Sequence, residues 1–187
     1  MTRLCVFAAS AFGSRPEYRR TAEHLGRVMA ARRLELVYGG AHIGLMGVLA
    51  DAALAGGGCV TGVIPEALVA KEIAHTRLDE LRIVGSMHER KATMAELSDA
   101  FLALPGGWGT FDELFEILTW AQLGLHRKPV GILNVHGYFD PFLALIRHSI
   151  DEGFVRRESA ELLRTATAVE PLLDALSEAS LVGHDLR

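Results

Sequence analysis

The feature that most constrains this chain is the regular alternation of short apolar runs with longer segments whose apolar residues recur at helical spacing. Seven runs have strand character, namely 4–9, 34–38, 59–64, 81–84, 100–104, 130–134 and, more weakly, 165–169. Six segments have the helical pattern, namely 16–32, 44–55, 87–97, 110–123, 141–152 and 171–179. Because the runs are apolar on both faces, the alternation predicts an α/β fold, a doubly wound parallel sheet with helices on both faces.

Length and charge limit the classes of protein to which the chain could belong. At 187 residues and 50% hydrophobic content, it fits one domain that spans 1–187. A net charge of -4 provides no broad basic surface, which argues against nucleic acid as a partner. No apolar run reaches the roughly 18 residues of a membrane span, and residues 1–9 are typical of a first strand rather than a signal peptide. We therefore expect no membrane partner and a cytoplasmic location.

The cysteines and histidines follow no metal-binding pattern. Cys5 and Cys59 both fall in apolar, strand-like segments, which predicts two reduced thiols in the core. The eight histidines are scattered without ligand spacing. The sequence therefore predicts no metal site.

A glycine-rich turn follows the fifth run and leads into a helical pattern. Gly106, Gly107 and Gly109 allow close approach of the backbone, and the first amides of the following helix lack intrahelical partners, so the turn can bind a phosphate. The loops after the first two runs should emerge on the same edge of the sheet, where ligands bind. Glu113 lies one turn into the helix, whose N-terminus should favour the ionised carboxylate.

The same residues also fit a purely structural interpretation. Residues 110–113 match T-x-x-E, the capping box that satisfies the amides at a helix N-terminus, and residues 14–17 and 86–89 match it too. In a capping role, Glu113 would stabilise the helix and take no part in a reaction.

The helical segment that begins at Met87 carries an unexpected charge. Met87, Met94 and Leu97 mark its buried stripe; Arg90 lies on that stripe and Lys91 borders it. A guanidinium on an apolar stripe is costly unless a carboxylate, phosphate or aromatic face compensates it. Arg90 is therefore a ligand-binding group, a structural ion-pair partner of an acid such as Glu72, or a side chain that reaches water.

Two motifs together resemble a known family. Met87–Lys91 followed by Pro105–Glu113 resembles the M-x-x-R-K and P-G-G-x-G-T-x-x-E pair of the LONELY GUY proteins. These are cytokinin riboside 5′-monophosphate phosphoribohydrolases, long mislabelled as lysine decarboxylases. The resemblance implies a single Rossmann-like nucleotide-binding domain, a homodimer, and AMP or N6-prenylated AMP as substrate, with no cofactor.

The resemblance also implies roles for individual residues. Arg90 and Glu113 become the catalytic pair. The implied substrate-binding residues are Glu72, Arg90, Lys91, Gly107, Trp108, Gly109, Thr110, Phe111, Asp112, Glu113 and Thr119. The chain departs from the family at residues 8–10, which are Ala-Ala-Ser instead of the frequent Cys-Gly-Ser, and at Ala41, which replaces a glycine.

Cleavage of the bond between ribose C1′ and a purine nitrogen suits these residue types. The carboxylate of Glu113 would stabilise an oxocarbenium-like sugar and orient or deprotonate water, while Arg90 would hold the substrate in place. A nucleotide carrier or sensor without turnover is the alternative function. A pyridoxal decarboxylase would need a Schiff-base lysine and a ring-nitrogen partner, and the chain has only Lys71, Lys91 and Lys128.

The helix that follows the glycine turn has a second apolar face. Trp120 and Leu123 fall on its polar side, beside Glu113 and Glu116. This pattern indicates either a homodimer contact or packing against a neighbouring loop.

Overall fold

A computed structural model describes the backbone of residues 1–69, 71 and 73–184, and side chains as far as residue 180. Seven strands form one sheet in the order β4-β3-β2-β1-β5-β6-β7, and every pairing is parallel. The strands are β1 (Arg3–Phe7), β2 (Glu35–Tyr38), β3 (Val60–Pro65), β4 (Glu80–Val84), β5 (Ala100–Ala103), β6 (Val130–Leu133) and β7 (Leu163–Ala166). The predicted doubly wound α/β fold is confirmed.

Helices connect the strands in the described chain. They are α1 (Pro16–Ala31), α2 (Gly44–Ala55), α3 (Glu66–Val69), α4 (Met87–Leu97), α5 (Trp108–Gln122), α6 (Asp140–Asp151), α7 (Arg157–Ala160) and α8 (Val169–His184). The bounds of α2 and α4 are those predicted from periodicity. The one-turn helices α3 and α7 and the 3-10 turn Val135–Gly137 were not predicted, because such short elements carry too few residues to show a period.

The helices cover both faces of the sheet because successive strand residues point to opposite sides. Leu4 and Val6 of β1 pack in one core with α1, α2 and α8. Cys5 and Phe7 pack in a second core with α4, α5 and α6. Both faces of β1 are therefore buried, which explains its uninterrupted apolar sequence.

The strand order reverses between β1 and β5. From β1 the chain proceeds outward through β2 and β3 to β4, and it then returns to the other side of β1 as β5. The connections that leave β1 and β5 therefore diverge and open a crevice at the carboxyl edge of the sheet. The loop after β2 emerges at the same edge.

Only one of the three predicted capping boxes forms. The Ser86 hydroxyl accepts a hydrogen bond from the Glu89 amide at 3.1 Å, and the Glu89 carboxylate accepts one from the Gly85 amide at 2.7 Å. Ser14 does not cap α1, because Pro16 begins that helix and Arg15 takes the N-cap position. Helix α5 begins two residues earlier than predicted, at Trp108, and its N-cap Gly107 provides no side-chain cap. Thr110 therefore lies inside the first turn.

Two predictions about burial were wrong. Met87 is 43% exposed, because it is the first residue of α4 and lies at the rim of the sheet rather than beneath it. Cys59 is an exposed free thiol, because it follows a glycine turn and precedes the first residue of β3, whereas Cys5 is buried as expected. The two residues of the predicted second apolar face of α5 differ, since Trp120 is half-buried against the second core and Leu123 is 66% exposed, so a homodimer contact there stays a prediction.

Candidate active site

A cavity of about 440 Å³ lies at the carboxyl edge of the sheet, at the reversal of strand order. The loops after β1, β2 and β5, the helix α4 and the segment between β3 and β4 all contribute to its walls. Its lining residues are Ala8, Ala9, Ser10, Ala41, Ile43, Met46, Leu68, Ile73, Arg90, Gly107, Trp108, Gly109, Thr110 and Glu113. The two predicted catalytic residues and the predicted phosphate turn are therefore brought together.

The N-terminus of α5 forms one wall of this cavity. The amides of Trp108, Gly109 and Thr110 belong to its first turn, where no preceding carbonyl is available to accept them. A Cβ atom added at Gly107 or Gly109 would meet no atom within 4 Å. Packing therefore does not require glycine at these two positions, and glycine weakens a helix, so stability does not explain it either. The open space beside the two glycines is suited to an anion.

Glu113 reaches the cavity from the second turn of α5. It is 8% exposed, and burial raises its pKa to about 7, although the charges of Arg90 and Lys91 act to lower it. The expectation that the helix N-terminus would favour the ionised form was wrong, because the cost of removing the carboxylate from water outweighs the nearby positive charges. A carboxyl group with a pKa close to neutrality is suited to proton transfer.

Arg90 is held by backbone carbonyls rather than by an acid. It is 7% exposed; its Nε donates to the Val63 carbonyl and its Nη2 to the Gly39 carbonyl, both at 3.1 Å. No described carboxylate forms an ion pair with it, and Glu72, one candidate partner and a predicted substrate-binding residue, lies outside the described residues. The structural ion pair therefore finds no support in the described chain.

Gly39 is required for this placement of the guanidinium. Any Cβ at that position would overlap with Nη2 of Arg90. The missing side chain lets the guanidinium lie against the backbone at the end of β2, where it lines the cavity with Glu113. The end of β2 is thus shaped around Arg90.

Lys91 and Asp112 lie beside the cavity rather than in its lining. Lys91 Nζ contacts the carboxylates of Asp112 at 2.9 Å and Glu116 at 3.1 Å, which ties α4 to α5. Burial alone would lower the pKa of Lys91, but the hydrogen bonds and charges of the two acids raise it. The charge of Lys91 nevertheless acts on Glu113, so its position supports the site indirectly.

Two other predicted substrate-binding residues lie away from the cavity. Phe111 is partly buried against the second core. Thr119 is exposed on the outer face of α5, where its hydroxyl donates to the Phe115 carbonyl at 2.7 Å. It lines a separate depression together with Gln122 and Ile146. A substrate-binding role for these residues stays a prediction.

An apolar wall of the cavity was not singled out from the sequence. Ile43, Met46, Leu68 and Ile73 form it. Apolar side chains carry no chemical signature, so only the positions of Ile43 and Met46 in the glycine-rich stretch after β2 could have indicated this wall. The departures from the family at residues 8, 9 and 41 also lie in the lining, so they alter the shape of the cavity itself.

The segment that carries Leu68 and Ile73 is fastened to the loop after β2. The His75 amide donates to the Gly40 carbonyl at 2.8 Å, and the His42 amide donates to the Ile73 carbonyl at 3.0 Å. The buried imidazole of His75 also contacts the Asp51 carboxylate at 3.2 Å. These bonds fix the apolar wall relative to Arg90.

Side chains that bind metals are not clustered in the described residues. These residues contain no group of three or more His, Cys, Asp or Glu side chains placed to hold a metal ion. Among the same residues, no helix combines the length and the apolar character that crossing a bilayer requires.

Comparison with known sequences identifies the family. A family described as "possible lysine decarboxylase" matches residues 46–176. The "probable cytokinin riboside 5′-monophosphate phosphoribohydrolase LOGL9" of Oryza sativa subsp. japonica is 49% identical over 94% of this chain and 78% of its own length. The corresponding phosphoribohydrolase LOG7 of Arabidopsis thaliana is 47% identical over 94% of this chain and 81% of its own length. This chain belongs to the LONELY GUY family.

Solved structures agree with the LONELY GUY chain in fold. The molybdenum cofactor binding protein of Rippkaea orientalis has a TM-score of 0.71 and 20% identity over 94% of this chain and 95% of its own. The Moco carrier protein of Chlamydomonas reinhardtii has a TM-score of 0.69 and 22% identity over 96% of this chain and 97% of its own. At these identities the likeness concerns the architecture alone.

The lysines of this LONELY GUY chain are poorly placed for the decarboxylase of the family description. Lys91 is occupied by two carboxylates, and Lys128 donates to the Ala95 carbonyl at 2.7 Å. Lys71 is exposed, and none of the three lines the described cavity. A pyridoxal cofactor would need a lysine in the cavity for its Schiff base.

Proposed function

We propose that the protein is a phosphoribohydrolase that cleaves the N-glycosidic bond of AMP, or of AMP with a hydrocarbon substituent on N6, and thereby activates cytokinins. Water enters, and the products are the free base and ribose 5-phosphate. The observation that carries the proposal is the meeting of the buried Glu113 and Arg90 with the uncapped N-terminus of α5 around one cavity. The names of relatives at 47–49% identity support it.

The phosphate fits the first turn of α5. The free amides of Trp108, Gly109 and Thr110 can donate to its oxygens, and the helix dipole favours its negative charge. Binding there places the attached ribose deeper in the cavity, next to the second turn of α5. Glu113 lies on that second turn.

Glu113 would act on the sugar. As the bond from C1′ to the base breaks, positive charge develops on the ribose, and the adjacent carboxylate stabilises it. The water oxygen then bonds to C1′ and gives up a proton, for which a carboxylate with a pKa near 7 is a well-matched acceptor. The departing base nitrogen takes a proton from water or from a ribose hydroxyl, and Glu113 then gives back the proton that it accepted, so the net reaction consumes one water and leaves the chain unchanged. Arg90 holds the substrate and the carboxylate in geometry, because a guanidinium does not readily give up a proton.

The base fits the apolar wall. Ile43, Met46 and Ile73 offer the aliphatic surface that a purine face and an N6 hydrocarbon chain would bury. The scheme uses only water and groups of the chain.

We also propose that the protein is a cytoplasmic homodimer. Exposed apolar side chains, Phe115, Leu123 and Leu145, lie on the neighbouring helices α5 and α6 and in the turn after α5, and they offer a surface for a second copy. Thr119 lies between Phe115 and Leu123 on that face of α5. The free thiols of Cys5 and Cys59 fit a reducing compartment.

The experiment is direct. Purified protein is incubated with AMP and with N6-isopentenyl-AMP, and free base and ribose 5-phosphate are quantified by chromatography. We expect the two products in equal amounts. Nucleotide binding without release of base would instead favour the carrier or sensor.

A further inference from the structure

The glycine turn of the proposed phosphate site contains an unusually adaptable peptide unit. This unit is the peptide that joins Gly106 to Gly107. Because glycine tolerates conformations that other residues avoid, it can rotate more easily than the neighbouring peptides. Gly107 is the N-cap of α5 and lines the cavity. Rotation of this peptide would turn the Gly107 N–H away from a bound anion.

One side chain restrains this peptide. The Tyr138 hydroxyl donates a hydrogen bond to the Gly106 carbonyl. Within the described chain, no other side chain makes a hydrogen bond to residues 105–110. In a trans peptide the C=O and the following N–H point in opposite directions, so the bond to Tyr138 directs the Gly107 N–H away from Tyr138. Tyr138 does not line the cavity, whereas Gly107 does.

The ring of Tyr138 is itself held firmly. It makes edge-on contacts with Tyr18, at a centroid distance of 5.8 Å, and with Phe139, at 5.1 Å. The buried Asn134 fixes the local backbone, since its side chain accepts from the Phe139 amide and donates to Asp140, both at 2.8 Å. The loop after β6 therefore aims the tyrosine at the glycine turn.

The backbone of that loop adopts a costly conformation. His136 has a φ of 50° and Gly137 a φ of 70°, so two successive residues are left-handed, and the first of them is not glycine. Strain of this kind persists only where surrounding structure enforces it. Here it brings the chain round so that Tyr138 directly follows the turn.

From these contacts we infer that Tyr138 is a positioning residue, which fixes the Gly106–Gly107 peptide so that the N–H of Gly107 stays available to the substrate phosphate. Tyr138 is not among the residues that line the cavity of Arg90 and Glu113. The inference rests on the proposed function, because it concerns the phosphate of that substrate.

The test compares Tyr138→Phe with Tyr18→Phe. Both variants delete one phenolic oxygen from the same pair of rings, but the Tyr18 hydroxyl makes no hydrogen bond among the described residues. Binding of ribose 5-phosphate and of inorganic phosphate is measured by calorimetry, with melting temperatures as a check on folding. We expect Tyr138→Phe to weaken both by about tenfold, because the peptide samples orientations that cannot bind. Tyr18→Phe should bind as the wild type does.

Steady-state kinetics supply a readout that a merely structural role would not move. The KM for AMP should rise by about tenfold in Tyr138→Phe, while kcat at saturating AMP stays within about twofold. A lower melting temperature with unchanged phosphate affinity would overturn the inference. If the wild type itself binds neither phosphate nor ribose 5-phosphate, the proposed function fails and the inference fails with it.

Discussion

The N-termini of α4 and α5 share a sequence pattern and differ in everything else. Residues 86–89 and 110–113 both match S/T-x-x-E. At α4 the serine and the glutamate bond to backbone amides and close the helix end. At α5 the helix has already begun at Trp108, its first amides carry no side-chain cap, and Glu113 is buried in a cavity wall. One pattern therefore serves stability in one helix and a candidate active site in the other.

The residues before each pattern account for the difference. Ser86 follows an extended strand end and takes the N-cap position with β-region backbone angles. The glycine turn before α5 lets the chain enter the helix three residues earlier than it would with Thr110 as the N-cap, so the threonine and glutamate are shifted into the helix. A capping motif can be read only together with the residue at which the helix starts.

The largest effect should come from replacing the two glutamates. Glu113→Gln should lower kcat by about 100-fold or more, the scale expected for loss of a positioned acid-base group. Glu89→Gln is the matched control; it should retain full turnover and lose at most about 1 kcal/mol of stability with its bond to Gly85. Equal activity of the two variants would show that Glu113, like Glu89, has only a structural role.

The same variants should differ in how stability depends on pH. The pKa of the Glu113 carboxyl is about 7 in the folded protein against its ordinary value of 4.5, so the folded state holds its proton more tightly than the unfolded state. The free energy of unfolding therefore falls as pH rises from about 4.5 through about 7. Glu113→Gln removes this loss. It should therefore exceed the wild type in stability at pH 8 by up to about 3 kcal/mol, and the gain should vanish near pH 4. Denaturant titrations at both pH values measure it, and a gain that does not change with pH would contradict the burial argument.

Arg90→Lys tests the second catalytic assignment. A lysine keeps the charge, but a single ammonium cannot reach the carbonyls of both Gly39 and Val63 in the planar geometry of the guanidinium. We expect kcat/KM for AMP to fall by at least about tenfold. Exposed Arg127, replaced in the same way, should have no effect on kinetics. Near-normal turnover by Arg90→Lys would remove Arg90 from the catalytic assignment.

The smallest effects concern the two helix starts directly. Gly109→Ala should stabilise the protein by about 0.5–1 kcal/mol, because the added methyl meets open space and alanine favours a helix. It should also lower kcat/KM for AMP, since the methyl occupies space left for the phosphate. Ser86→Ala should do the reverse, with stability lower by about 1 kcal/mol and kinetics unchanged. Thermal melts and initial rates on both variants decide whether stability and function separate as stated.

Strands and helices could be predicted from the sequence because their periods extend over many residues. The fold and the bounds of α2 and α4 followed from patterns along the chain. The meeting of Arg90 with Glu113 and the glycine turn was implied by the family resemblance, and all three line one cavity. The partners of Arg90 could not be predicted in this way. They are backbone carbonyls, which every residue possesses, so they were not among the candidates that the sequence offered.

Burial and long-range contacts account for the remaining errors. The helix dipole suggested an ionised Glu113, but its pKa is raised by burial among segments that are remote from one another in sequence. Cys59 lies just before the first residue of β3, and Met87 is the first residue of α4. Both are exposed because they lie at the start of an element, where prediction from periodicity is weakest. The apolar wall combines residues that are remote in sequence.

The most direct test of the central claim is a comparison of AMP with adenosine as substrates of the wild-type protein. If the uncapped N-terminus of α5 is the phosphate site, loss of the 5′-phosphate should lower kcat/KM by at least about 100-fold, because binding energy at the phosphate orients the ribose against Glu113. Release of base is followed under identical conditions for both compounds. We predict turnover of AMP with little or none of adenosine, and comparable rates on the two would contradict the account.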